Sequence, residues 1–243
     1  MRFLIKFTYD GSSYSGFQTQ PNLDTIQERM EKALQIINNG KKTNLVATGR
    51  TDKGVHALCQ YAHADLDIDI NEYKLKRAMN SNLPDDIYVI ETKNVPDDFH
   101  ARYNVKSKEY KYYINLGEYN PIERNYVFQY NYLLNKEAME DAIKVFIGTH
   151  DFRAFVTESK EKENCIRTIN YANVEQQENK LVITFRGDGF LRYQVRNMVG
   201  ILIRVGENKI STKDVEKILL SKDRTTTGKT APPEGLYLTN VIY

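Results

Sequence analysis

The sequence predicts an α+β protein built as two β-α-β-β-α-β halves that meet near residue 100. Three observations carry this expectation. Apolar residues alternate with period two over Arg2–Tyr9, Ala57–Ile70 and Ile87–Lys93, as half-buried strands require. They recur with helical spacing at Ile26, Met30, Ala33, Leu34 and Ile37. The same succession of periods then repeats in outline beyond residue 104.

Arg2–Tyr9 ends at the turn signal Asp10-Gly11-Ser12-Ser13. The helix that follows has Asp24 as its expected N-cap, with Gln27 three residues on, and Asn38-Asn39-Gly40 as its stop. Thr43–Ala47 reads as a strand, Ala57–Ile70 as a long one, Glu72–Met79 as a short helix and Ile87–Lys93 as a fourth strand. This is the ferredoxin-like (RRM-like) order. In the second half Val105–Leu116 is a strand, and Asn135 caps a helix running to Phe146. Arg167–Glu175 and Lys180–Asp188 form a hairpin across Gln176–Asn179. Phe190–Val205 is a strongly apolar helix, Thr212–Leu220 another, and Leu236–Ile242 a last strand. The expected division is therefore 1–104 and 105–243, with no linker between the halves.

A chain of 243 residues accommodates two modest cores. The net charge of +2 is too small to imply a nucleic-acid partner, so any such case rests on where the positive charge lies. Two cysteines make no disulfide framework and fit a reducing, cytoplasmic setting. No apolar run approaches the roughly 20 residues a membrane span needs, and the N-terminus has no signal-peptide pattern, so no membrane partner is expected.

Metal chemistry is disfavoured. His56, Cys59 and His63 lie on an expected strand, where His56 and Cys59 point to opposite faces, and no second ligand pair follows. Thr227-Gly228-Lys229-Thr230 imitates the end of a phosphate loop. Asp223 stands where that loop needs glycine, and Pro232-Pro233 follows where a helix should start. No nucleophile elbow for serine hydrolysis is present.

Two features point to chemistry. The stretch Ala47-Thr-Gly-Arg-Thr-Asp-Lys-Gly-Val-His-Ala57 places Arg50, Asp52, Lys53 and His56 on a glycine turn. In the expected helix from Phe190, Arg192 and Arg196 share one face, and Gly200 continues that stripe, permitting close backbone approach. Arg196 is crowded by Val195, Met198 and Val199, so it needs an anionic partner, for which Asp52 is the natural candidate. Spacing alone leaves Asp52 with two readings: an arginine-paired carboxylate serving as nucleophile or base, or a cap of the glycine turn.

Several segments together resemble the tRNA pseudouridine synthase A family. They are Tyr9–Gln18, Gly49–Ala57, Phe99–Arg102, Lys108–Tyr112, Phe152–Phe155, Phe190–Gly200 and Ala231–Leu238. The resemblance runs nearly end to end, with Phe17 where the family usually has tryptophan. It implies the pseudouridine synthase fold, in which two antiparallel sheets join around a central cleft. It also implies a cofactor-free, metal-free isomerase that converts uridine to pseudouridine at positions 38 to 40 of the tRNA anticodon stem-loop. On this resemblance Asp52 is the nucleophile, attacking either ribose C1′ or uracil C6. Tyr110 stacks on the base, Arg196 pairs with the aspartate, Arg50 takes the place of the flipped base, and Leu236 contacts the uracil. Lys53, His56, Lys108 and Arg192 complete the expected RNA contacts, and the family forms a homodimer. Lys41, Lys42, Lys106, Lys111 and Arg153 could extend a basic groove. The competing expectations are an idle RNA-binding protein on the same scaffold, or a paralogue acting at another RNA site.

Overall fold

The computed structural model describes residues 1–156 and 164–243. The chain divides into two compact units, Met1–Lys106 with Leu238–Tyr243, and Ser107–Tyr237. The last residues of the chain thus pack with the N-terminal unit, whereas the sequence reading kept 105–243 together.

The first unit is built from β1 (Arg2–Tyr9), α1 (Ile26–Ile37), β2 (Val46–Ala47), β3 (His56–Asp65), α2 (Glu72–Asn82) and β4 (Ile87–Val95). Its strands run in the order β4-β1-β3, with β2 also on β3, which is the ferredoxin-like arrangement expected from the sequence. The Leu238–Ile242 part of β10 (Leu236–Ile242) lies along β3 as a further strand. Strand β1 pairs antiparallel with both neighbours, Leu4 facing His63 on one side and Lys93 on the other. Helix α1 buries Ile26, Met30, Ala33 and Leu34 of the stripe read from the sequence, with Ile37 at its end half-buried. Its cap, however, is Thr25, whose side chain accepts from the Glu28 amide; Asp24 instead pairs with Arg29 at 2.6 Å. A carboxylate with a guanidinium five residues on is drawn outward, and the next hydroxyl takes the amide.

The second unit comprises β5 (Ser107–Asn115), β6 (Phe128–Gln129), α3 (Lys136–Ile143), β7 (Gly148–Asp151), β8 (Ile166–Gln177), β9 (Lys180–Gly187), α4 (Gln194–Gly206) and α5 (Thr212–Ser221). The strand order is β5-β9-β8-β7, antiparallel throughout, with the short β6 added parallel to β5. Asn135 caps α3 as expected, and Ser211 with Asp214 makes a reciprocal capping box on α5. The short strands β6 and β7 escaped the sequence reading because two to four residues carry no usable period.

The main difference lies at α4. The helix starts at Gln194 and not at Phe190, because Tyr193 holds a left-handed φ of 63°. Arg192 therefore precedes the helix and does not share a helical face with Arg196. From Val195 to Val205 the helix is almost wholly buried, as its apolar composition demands.

Candidate active site

In the first unit, the turn carrying Asp52 is braced from several directions. The Val55 amide donates to the Asp52 carbonyl at 3.2 Å, closing a four-residue turn with Gly54 at φ 78°, the position that needs a positive φ. The Tyr9–Gln18 segment lies against this turn. The Phe17 amide donates to the Thr51 carbonyl at 3.1 Å, and the Tyr9 and Thr51 hydroxyls are 2.8 Å apart. Gly11 approaches so closely that an added Cβ would stand 2.0 Å from the Val55 carbonyl oxygen. Only glycine fits there. The two motifs, forty residues apart in sequence, are therefore one local unit, with Arg50 and Lys53 exposed at its surface and Asp52 half-buried.

His56 is placed differently from its expected role. Its ring is 2% exposed, and Nδ1 accepts from the Gly11 amide at 3.2 Å, with Asp10 Oδ1 also 3.2 Å away. The Gly11 amide is an obligatory donor, so Nδ1 meets it as an acceptor. In this position His56 ties the N-terminal loop to the Asp52 turn and is not presented for RNA contact.

In the second unit, the period of β5 turns Tyr110, Tyr112 and Ile114 to one buried face. Phe190 meets Tyr110 edge-on, with ring centroids 5.2 Å apart and planes at 80°. Lys108 lies at the start of the same strand, half-exposed. Leu236, at the start of β10, is 5% exposed.

Arg196 is held by backbone. Its Nε donates to the Ala231 carbonyl at 2.8 Å, and the Ala231 amide donates back to the Arg196 carbonyl at 3.1 Å. Its guanidinium also lies over the Tyr193 ring at 5.3 Å, and Arg192 lies over the same ring at 5.0 Å. A left-handed tyrosine costs on the order of 1–2 kcal/mol, and two guanidinium contacts offset part of it. Glu234 is near enough to feel the Arg196 charge, yet its burial dominates and pushes its carboxyl above the usual range. The expected close approach at Gly200 is present: a Cβ there would stand 2.2 Å from the Lys229 carbonyl oxygen. The sequence reading missed the work of Phe190, Tyr193 and Ala231. For Phe190 an aromatic heading the motif was a usable signal, whereas Ala231 acts through backbone atoms that leave none.

Of the further basic residues, Lys41 is paired with Asp67 at 3.2 Å and Arg153 approaches Asp151 at 3.6 Å. No helix among the described residues is long and apolar enough to cross a membrane. No group of three or more potential metal ligands gathers among them.

One α+β unit presents an aspartate on a braced turn, and the other holds a buried tyrosine and a backbone-held arginine. The model of the tRNA pseudouridine synthase family matches residues 6–104 and 142–243. The chain is 42% identical over its whole length to the tRNA pseudouridine synthase A of Streptococcus sanguinis, covering 98% of that protein. It is 41% identical to that of Limosilactobacillus reuteri, covering 96%, and 42% identical to that of Streptococcus mutans, covering 99%. A solved Cbf5-Nop10-Gar1 complex aligns with 82% of this chain and 54% of its own at 13% identity and a TM-score of 0.36, too distant to bear on fold or function. The chain belongs to the tRNA pseudouridine synthase A family, a family of isomerases.

Proposed function

We infer that this chain isomerises uridine to pseudouridine in tRNA, at positions 38 to 40 of the anticodon stem-loop, with Asp52 as nucleophile. The observation that carries the reading is the identity of 42% over the entire chain with relatives named tRNA pseudouridine synthase A. The local geometry of each unit supports it.

In this reading the C1′–N1 bond of the target uridine breaks, the held uracil rotates, and a C1′–C5 bond forms. The proton displaced from C5 leaves and N1 gains one, so substrate and product have the same atoms and no oxidant or reductant is consumed. Asp52 forms the covalent intermediate, at C1′ or at uracil C6. Arg196, with Nε held by Ala231, is the arginine that this reading pairs with the nucleophile. Tyr110, backed by Phe190, stacks on the base and assists removal of the C5 proton. Such stacking contributes about 1–3 kcal/mol toward the cost of extruding the base. Arg50, exposed beside Asp52, fills the space the base leaves, and Leu236 limits the uracil pocket. Lys53, Lys108 and Arg192 contact phosphates, and His56 keeps the Asp52 turn in register. The active form is a homodimer.

The test uses an unmodified tRNA transcript tritiated at uridine C5, without added metal or nucleotide. Wild-type protein should release tritium and modify the anticodon arm. Asp52→Ala should release none while binding the same RNA nearly as tightly. Wild-type release by Asp52→Ala would discard the nucleophile. Binding without release by the wild type would point to another RNA target.

A further inference from the structure

A half-buried arginine that the reaction does not touch stands behind the segment carrying Ala231. Arg224 lies in the 3-10 turn Arg224–Thr227 after α5. Among the described residues, every acceptor of its guanidinium is neutral. Nη1 donates to the Thr227 hydroxyl and, at 3.0 Å, to the Gly228 carbonyl. Nη2 donates to Asn197 Oδ1 at 3.1 Å and to the Thr230 hydroxyl at 2.9 Å. Nε is buried without a partner. Burial accordingly pulls the Arg224 pKa below its usual value. A half-buried guanidinium with no carboxylate carries a cost, since part of its hydration is lost and the charge is not neutralised.

The acceptors explain what the cost obtains. Thr227, Gly228 and Thr230 belong to one loop, and Asn197 belongs to α4, next to Arg196. Asn197 is 1% exposed; it donates to the Phe155 carbonyl at 2.6 Å and accepts from the Thr230 hydroxyl at 2.7 Å. Arg224 therefore fastens the 227–230 loop to the turn of α4 that bears Arg196. One residue further on, Ala231 exchanges both of its backbone hydrogen bonds with Arg196. The pseudo-phosphate-loop sequence Thr227–Thr230 has this clamp as its structural role, with Gly200 admitting the Lys229 carbonyl.

We propose that Arg224 is a positioning residue for the isomerisation, setting the Arg196 guanidinium through Asn197, Thr230 and the Ala231 carbonyl. This rests on the reading that Arg196 serves the reaction. Loosening the loop lets Nε of Arg196 leave Ala231, which misaligns the arginine without removing it. Misplacement of this kind typically costs roughly 10- to 100-fold in rate.

The experiment measures single-turnover tritium release and RNA affinity for Arg224→Gln, Thr230→Val, Arg196→Lys, Arg196→Ala and the doubles of Arg196→Lys with each loop variant. Thr230→Val keeps the side-chain volume nearly constant and covers the case in which Arg224→Gln does not fold. Each single loop variant should lose rate roughly 10-fold or more while its Kd for tRNA stays within about twofold. In the Arg196→Lys background, which has no Nε to hold, the loop variants should cause no further loss of the residual rate. Full activity of the loop variants, a loss seen equally in Kd, or additive losses in the double variants would overturn the proposal while the functional reading stands. A full-rate Arg196→Lys together with full-rate Arg196→Ala would overturn that reading and this proposal with it.

Discussion

His63 shows how one side chain's surroundings translate into a property of the whole protein. It is 4% exposed, its Nδ1 accepts from the Ala101 amide at 3.1 Å, and its ring lies 4.9 Å from that of His100. Burial first, then the nearby Arg2 cation and His100, pull its pKa from 6.5 down to about 4, with Asp65 acting weakly the other way. The folded state thus resists protonation that the unfolded chain accepts. This histidine's contribution to stability is complete above pH 6.5 and is lost as pH falls from there toward about 4. We expect urea unfolding of His63→Gln, whose amide oxygen can still accept from Ala101, to show a shallower loss of stability across that window than the wild type. Parallel pH profiles would remove His63 as the cause. At the same scale, Gly11 and Gly200 mark places where a carbonyl occupies the space of a side chain. The sequence alone hinted at the second through its position on the Arg196 stripe. It was silent on the first, because the crowding atom belongs to Val55, distant in sequence.

At the scale of elements, helix α1 separates what sequence pattern can and cannot decide. Its buried stripe was legible because period 3.6 depends only on side-chain order. Its cap was misplaced by one residue, since Asp24 and Thr25 are both good caps and the choice turns on Arg29. The two carry different energies. Thr25→Ala should cost about 1 kcal/mol of stability, as the loss of a cap does. Asp24→Ala should cost less, about 0.5 kcal/mol or under, because its pair with Arg29 is largely exposed. Chemical denaturation of both variants decides it, and the reverse ranking would restore Asp24 as the cap. Helix α4 was over-extended for a related reason. Phe190 and Leu191 continue the apolar pattern, but the left-handed Tyr193, with two guanidinium groups over its ring, delays the helix start to Gln194.

At the scale of the molecule, net charge says little and charge placement says more. Arg50, Lys53 and Arg192 are exposed and Lys108 is half-exposed; Lys41 pairs with Asp67 at 3.2 Å. If Lys53, Lys108 and Arg192 meet phosphates, log Kd for tRNA should rise with log salt with a slope of about 2 to 3. Arg192→Ala should lower that slope by about 1, and Lys41→Ala should leave it nearly unchanged. A slope near zero in the wild type would remove the phosphate contacts altogether.

By itself the sequence determined the strand and helix periods, the ferredoxin-like order of the first unit, and the family, through seven ordered motifs. These depend on local pattern and residue identity, which a linear chain carries in full. Tertiary structure alone decided that Leu238–Tyr243 packs with the first unit, that His56 braces a loop, that Arg192 leaves the helix, and that Arg224 clamps the segment holding Arg196. All but the Arg192 case, which turns on its neighbour Tyr193, depend on a backbone carbonyl, an amide or a half-buried charge meeting a partner far away along the chain. Such partners leave no period in the sequence, because any residue supplies the same backbone atoms.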